Sequence, residues 1–286
     1  MIANARMYSV TPAVGALWRQ LLAAIAARAA VALTVVDHPE PMPISELWRR
    51  QDLGAVFMCG LPFARSEPRP VLIAAPVPAP PEFGGQPRYW SEFVVRVDSG
   101  FQVLEETLGY RIAFTAPDSQ SGCVAALYYF MEASGLLEAA ARRPLYKEVI
   151  APQVTPLRAL TAVADGLADV APIDSFAFRL LRRYRPELTD RVRVIAQTTP
   201  TAIPPIVATS PMPLSLETAF VEAHNNLSMK PVLQSLELER FAHPDAASYD
   251  LVRQRFDAVT DYWRERPFAA VAHPVFAALS AGLSPG

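Results

Sequence analysis

The chain has 286 residues, 51% hydrophobic and 19% charged, and its 28 acidic and 26 basic side chains leave a formal net charge of −2. That length suits one large or two medium domains with real cores. The near-neutral balance, without any Lys/Arg-rich run, excludes a global basic field for nucleic acid. The cysteines, Cys59 and Cys123, show no C-x-x-C or metal-ligand spacing. Both sit in or beside apolar runs and read as buried free thiols, with a disulfide between them left open.

Along the chain, "IANARMYS" (2–9) reads as a strand and 12–30 as a helix. The apolar run "LLAAIAARAAVALTVV" (21–36) is broken by Arg28, and no basic segment closely precedes it, so it suits neither a membrane span nor a signal peptide. Leu17, Leu21, Leu22, Ile25 and Ala29 recur at helical spacing, which predicts a core helix. Residues 30–36 read as the next strand or as the exit of that helix. A short helix is expected over 43–51 with Ser45 near its N-cap, and buried strands over 53–60 and 69–76. "PVPAPPEFGGQP" (76–87) reads as an exposed loop. Then come a strand over 89–97, a helix or turn near 101–108, a strand over 110–116 and a helix over 121–134. A helix over 156–168 precedes the short strand "DVAPI" and a helix over 174–184 with Asp174 or Ser175 as N-cap. Strands are expected over 191–199 and 204–210, and helices from 211 on, clearest over 215–227 and 249–265.

This alternation argues an α/β fold with mostly parallel sheets. "FVVRV" (93–97) and "PPIVATS" (204–210) bracket a central block with its own alternation. That bracketing suits one domain inserted in another.

At "FTAPDSQSGC" (114–123) a strand-like run hands over to a helix through two serines and a glycine. In open α/β sheets ligands bind beyond the carboxyl ends of strands. A first helical turn carries unpaired N–H groups and about half a positive charge. "DSQSG" therefore reads as a cradle for a phosphate-, phosphonate-, sulfonate- or carboxylate-like group, with ordinary N-capping as the alternative. Catalytic patterns are thin. His38, His224, His243 and His273 are scattered, and no H-x-x-x-H, G-x-G-x-x-G or G-x-S-x-G appears. No cofactor or metal is expected. Trp18, Trp48 and Trp263 read as packing residues, whereas Trp90 neighbours the first crossing.

The run "YWSEFVVRVDSGFQVLEETLGYRIAFTAPDSQSGCVAALYYF" (89–130) resembles the periplasmic phosphonate/phosphite-binding proteins of ABC importers. Those proteins pair a Tyr-x-Ser strand with an element of the kind "sL-x-DLkGkrvAf-x-DpxSxSG". "VADGLADVAPIDSFAFRLLRRYRPELTDRVRVIAQTTPTAIPPIVAT" (163–209) resembles a second region of the same family, and the resemblance runs from about residue 53 to 210. It implies a two-lobed type II periplasmic-binding-protein fold with two crossover strands as hinge. Lobe 1 would comprise 1–88 plus 208–286 and lobe 2 would comprise 89–207, with the ligand cleft between them.

The resemblance further implies a monomer that captures a small oxyanion ligand by lobe closure for an ABC permease, without catalysis and in the periplasm. Ser119, Gln120, Ser121 and Gly122 map onto the oxyanion grip, and Tyr89 and Ser91 onto the Tyr-x-Ser strand. Asp174 falls where family members often place a group that selects the rest of the ligand, and Thr199 and Thr201 lie just before the second crossing. On the other lobe, Tyr8 and the loop Cys59, Gly60 and Leu61 end strands, so the carboxyl-end rule turns them toward the same cleft. The chain departs from the family pattern at Gln120, where a small Thr or Ser is commoner, and at Cys123, where an aromatic is expected. No secretion signal precedes the first strand. The alternatives are thus a cytoplasmic ligand sensor or an enzyme resembling the menaquinone-pathway proteins that act on chorismate-derived acids.

Overall fold

In the computed structural model, which describes residues 1–133, 144–264 and 268, the chain opens with β1 (Ile2–Asn4) and α1 (Pro12–Ala29). Thr11 caps α1, its hydroxyl accepting from the Val14 N–H at 3.2 Å. Pro12 sits at the first helical position, where a missing N–H costs nothing. Ala30, at φ 53°, ends the helix in the left-handed region. Next come β2 (Thr34–Val35), α2 (Ile44–Trp48), β3 (Leu53–Phe57), α3 (Gly60–Arg65), β4 (Val71–Pro78) and β5 (Arg88–Tyr89). The N-cap of α2 is Pro43 rather than Ser45. The middle of the chain gives β6 (Ser91–Arg96), β7 (Arg111–Ala113), α4 (Ala125–Glu132), β8 (Glu148–Ile150), α5 (Pro156–Ala164), β9 (Val170–Asp174), α6 (Ser175–Tyr184), α7 (Pro186–Thr189) and β10 (Val192–Gln197). The remainder gives β11 (Thr201–Ala202), β12 (Ile206–Ala208), α8 (Leu214–Val221), α9 (Lys230–Ser235), β13 (Leu238–Ala242) and α10 (Asp250–Trp263).

These elements form two units. The first comprises Met1–Tyr89 and Ala202–Asp250, the second Trp90–Thr201 and the residues from Leu251 on. In the first, the strand order is β13-β4-β12-β3-β1-β2. β1, β2 and β3 run parallel, while β12 pairs antiparallel with both β3 and β4. Tyr8 and Trp18 meet Phe57 edge-on, with centroids 5.2 and 5.0 Å apart. Phe63 meets Tyr249 at 4.9 Å, and the Tyr249 hydroxyl donates to Ile203 O at 2.8 Å. Each aromatic or aliphatic side chain buried this way contributes about 1.5–3 kcal/mol.

The stretch from 211 on is not all helical. β13 pairs antiparallel with β4, burying Leu238 and Phe241 while Glu239 stays exposed. Pairing with β4, through a ladder whose register shifts between Leu238 and Arg240, overrides the helical look of its neighbours.

The second unit has the order β10-β6-β9-β7-β8. β7, β8 and β9 are parallel, and β6 lies antiparallel to both β9 and β10. The first lobe was expected to run to residue 286. From Leu251 on, however, the described residues pack in the second unit, and the chain passes between units a third time at Asp250–Leu251. The reason is a ring cluster. Trp263 meets Phe268 at 5.1 Å, Phe268 meets Phe130 at 5.6 Å, and Trp263 Nε1–H donates to Leu127 O at 3.3 Å. Both cysteines are free thiols, each buried within its own unit.

Candidate functional site

In the second unit, the carboxyl ends of β7 and β9 both lead to a helix start, β9 directly and β7 through Phe114–Ser119. Beyond β7, the Phe114 N–H donates to Ile150 O at 3.2 Å and the Thr115 N–H to Gly122 O at 3.2 Å. Ser119 is the N-cap of the helical run, its Oγ accepting from the Gly122 N–H at 3.0 Å. The first turn, Gln120–Val124, is wide, with the Val124 N–H reaching five residues back to Ser119 O at 3.0 Å. Such π-turns are uncommon and concentrate at functional sites. Gly122 is there because nothing larger fits. A Cβ at this position would lie 1.9 Å from Thr115 Oγ1 and 2.9 Å from Thr115 Cβ.

Hydrogen bonds tie this turn to its neighbours. The Ser121 hydroxyl donates to Asp174 Oδ2 at 3.4 Å, and the Ser91 hydroxyl to Ser121 O at 2.6 Å. Asp174 ends β9 and caps α6, its Oδ1 accepting from the Ala177 N–H at 2.8 Å. The β6–β9 register sets Ser91 opposite Asp174. The Ser91 N–H donates to Thr198 Oγ1 at 2.9 Å and the Thr198 N–H to Ser91 O at 3.0 Å. Ser175 exchanges bonds with the Trp90 backbone at 3.1 and 3.0 Å. Ser91, Ser121, Asp174 and Ser175 are all buried. The result is a helix start rich in donors with a buried carboxylate beside it.

The remaining expected residues divide by unit. Gln120 is buried, and Cys123 after Gly122 is wholly so. Burial, with Asp118 adding, pushes the Cys123 thiol far above the ordinary range, so it packs as a neutral group. Thr201 is buried and Thr199 exposed, whereas Thr198, not flagged by the sequence, joins the network. Ser175 is a second member that sequence reasoning weighed only as a cap. In the first unit, Tyr89 is buried and Tyr8 lies in a 3-10 turn after β1. β1 stops at Asn4, whose amide donates to Val36 O at 2.7 Å and whose Oδ1 accepts from the Arg6 N–H at 2.8 Å. The Tyr8 backbone carbonyl accepts from Trp18 Nε1–H at 3.2 Å. Cys59 starts α3 without capping it through its side chain, and Gly60 and Leu61 are buried in the first turn. Among the described residues no cluster of three or more His, Cys, Asp or Glu could hold a metal ion.

Residues 13–249 match the sequence profile of a family described as the periplasmic substrate-binding protein of phosphonate ABC transporters. None of the curated protein sequences matches the chain. Among solved structures, the chain is similar to a binding protein component of an ABC phosphonate transporter from Pseudomonas aeruginosa. The identity is 19%, over 98% of this chain and 93% of that one, with a TM-score of 0.70. It is also similar to PhnD1 from Prochlorococcus marinus in complex with methylphosphonate, at 14% identity over 90% and 97% and a TM-score of 0.74. The GluR0 ligand-binding core from Nostoc punctiforme, in complex with (L)-glutamate, is more distant, at 15% identity over 82% and 97% and a TM-score of 0.53. At these identities the likeness is one of fold, the type II periplasmic-binding-protein fold. The matched family consists of substrate-binding transport proteins rather than enzymes. The chain belongs to the periplasmic substrate-binding proteins of phosphonate ABC transporters.

Proposed function

We propose that the chain captures a small phosphonate-, phosphite- or phosphate-like anion at the Ser119–Gly122 helix start and passes it unchanged to an ABC permease in the periplasm. Among the described residues no helix is long and apolar enough to cross a membrane. One observation carries the reading: a serine hydroxyl in the first turn of a helix rests on the buried carboxylate of Asp174. The helix start supplies N–H and hydroxyl donors, and each charge-assisted bond to an anion is worth about 1.5–3 kcal/mol. Asp174 sets the other half of the selection. Two like charges about 4 Å apart repel by about 4 kcal/mol at an effective dielectric constant of about 20. A ligand is therefore favoured when it turns a P–OH proton or an ammonium group toward that carboxylate.

Melting of the purified chain with methylphosphonate, phosphite, phosphate and sulfate tests this. At 100 times its Kd a ligand stabilises the folded state by about 2.7 kcal/mol. The phosphorus anions, which carry a proton near neutral pH, are expected to raise the melting temperature. Sulfate, which does not, is expected to leave it unchanged. Ser121→Ala removes the effect. No response to any of these anions would overturn the reading.

A further inference from the structure

We infer that the hydroxyl of Thr115 is a direct ligand-binding group, donating a hydrogen bond to the oxyanion held at the neighbouring helix start; this rests on the function proposed above. Thr115 is almost completely buried, 4% exposed, just beyond the carboxyl end of β7. Its backbone is fully engaged: the N–H donates to Gly122 O at 3.2 Å and the carbonyl accepts from the Val154 N–H at 2.9 Å. The side chain differs. Among the described residues, Thr115 Oγ1 has no hydrogen-bond partner.

Its position is specific. Oγ1 lies 1.9 Å from the point a Gly122 Cβ would occupy, and Ser119 Oγ lies 2.9 Å from that same point. The hydroxyl thus packs directly against the Gly122 backbone at the helix start, in the place that a side chain at Gly122 would take. Neighbouring acceptors do not use it. Ser119 Oγ takes the Gly122 N–H, and Gly122 O takes the Thr115 N–H. Burying a hydroxyl without an acceptor is costly, and valine would fill the same volume at the end of a strand without that cost. A threonine is explained here if a ligand oxygen supplies the acceptor. A donor in this place matches an ionised oxygen of a tetrahedral anion and complements the acceptor offered by Asp174.

The test compares full-length wild type, Thr115→Val, Thr115→Ser and Ser121→Ala by titration calorimetry with methylphosphonate, and by melting without ligand. Thr115→Val is expected to melt at or above wild type when ligand-free, because no bond within the protein is lost. It is expected to bind methylphosphonate about tenfold or more weakly, the loss of one hydrogen bond to a charged group. Thr115→Ser, which keeps the donor, is expected to bind like wild type. Wild-type affinity in Thr115→Val beside lost binding in Ser121→Ala would overturn this inference and leave the helix-start reading standing. A lower ligand-free melting temperature for Thr115→Val would also overturn it, since the hydroxyl would then have a partner inside the protein. Failure of wild type to bind any phosphorus oxyanion would overturn both.

Discussion

The two units are built to one plan. The order β2-β1-β3-β12-β4 in the first repeats as β8-β7-β9-β6-β10 in the second, each with four strands running one way and one, β12 or β6, antiparallel to both its neighbours. Corresponding strand ends carry different chemistry. β7 and β9 lead into Ser119–Gly122 and Asp174–Ser175, a hydrogen-bonded set of hydroxyls around a carboxylate. Their counterparts β1 and β3 lead into Tyr8 and into Cys59–Leu61, which are buried and largely apolar. Fold symmetry does not carry over into chemical symmetry, because a site is set by the loops and not by the sheet that bears them.

The comparison can be broken most forcefully at the element only the second unit has. Trp263→Ala removes a buried ring and its bond to Leu127 O. A loss of about 3–5 kcal/mol in denaturant unfolding is expected. A loss below about 1 kcal/mol would show that α10 does not complete that core. Next come the glycines in the opening turns of the two first helices. Gly122→Ala drives a Cβ into Thr115 and should cost about 1–3 kcal/mol together with ligand binding. Gly15→Ala meets nothing nearer than Ser9 Cβ at 3.4 Å, and should stabilise by about 0.5–1 kcal/mol. Equal effects in chemical melts would dissolve the distinction between the two helix starts. The caps give the smallest contrast. Ser119→Ala and Thr11→Ala should each cost about 1 kcal/mol of stability, the first weakening oxyanion binding and the second leaving it unchanged.

Much of this was legible in the residues. The spacing of Leu21, Leu22, Ile25 and Ala29 on the buried face of α1 is a local signal, as are Ser119 and Asp174 at strand-to-helix junctions. β13 was not legible, since five residues amid helical neighbours become a strand only because β4 offers an edge distant in sequence. Thr198 escaped for a different reason. Thr199 and Thr201 stand out by lying just before the second crossing, whereas Thr198, one residue past β10, enters the network only because β10 pairs antiparallel with β6 and brings it against Ser91. Thr115 sits in "AFTA", where a β-branched residue reads simply as strand.

The third passage of the chain at Asp250–Leu251 bears on the order of assembly. The first unit waits for β12 and β13 to fill and extend its sheet, and the second, although it starts at Trp90, waits for Trp263 and Phe268. A chain emerging N-terminus first therefore has no complete core in the first unit until β13 has emerged, and none in the second until Phe268 has. Its folding is governed by contacts far apart in sequence, which makes it slow. The expected behaviour is a nascent chain that stays open and dependent on protection from aggregation, then closes both cores late and nearly together.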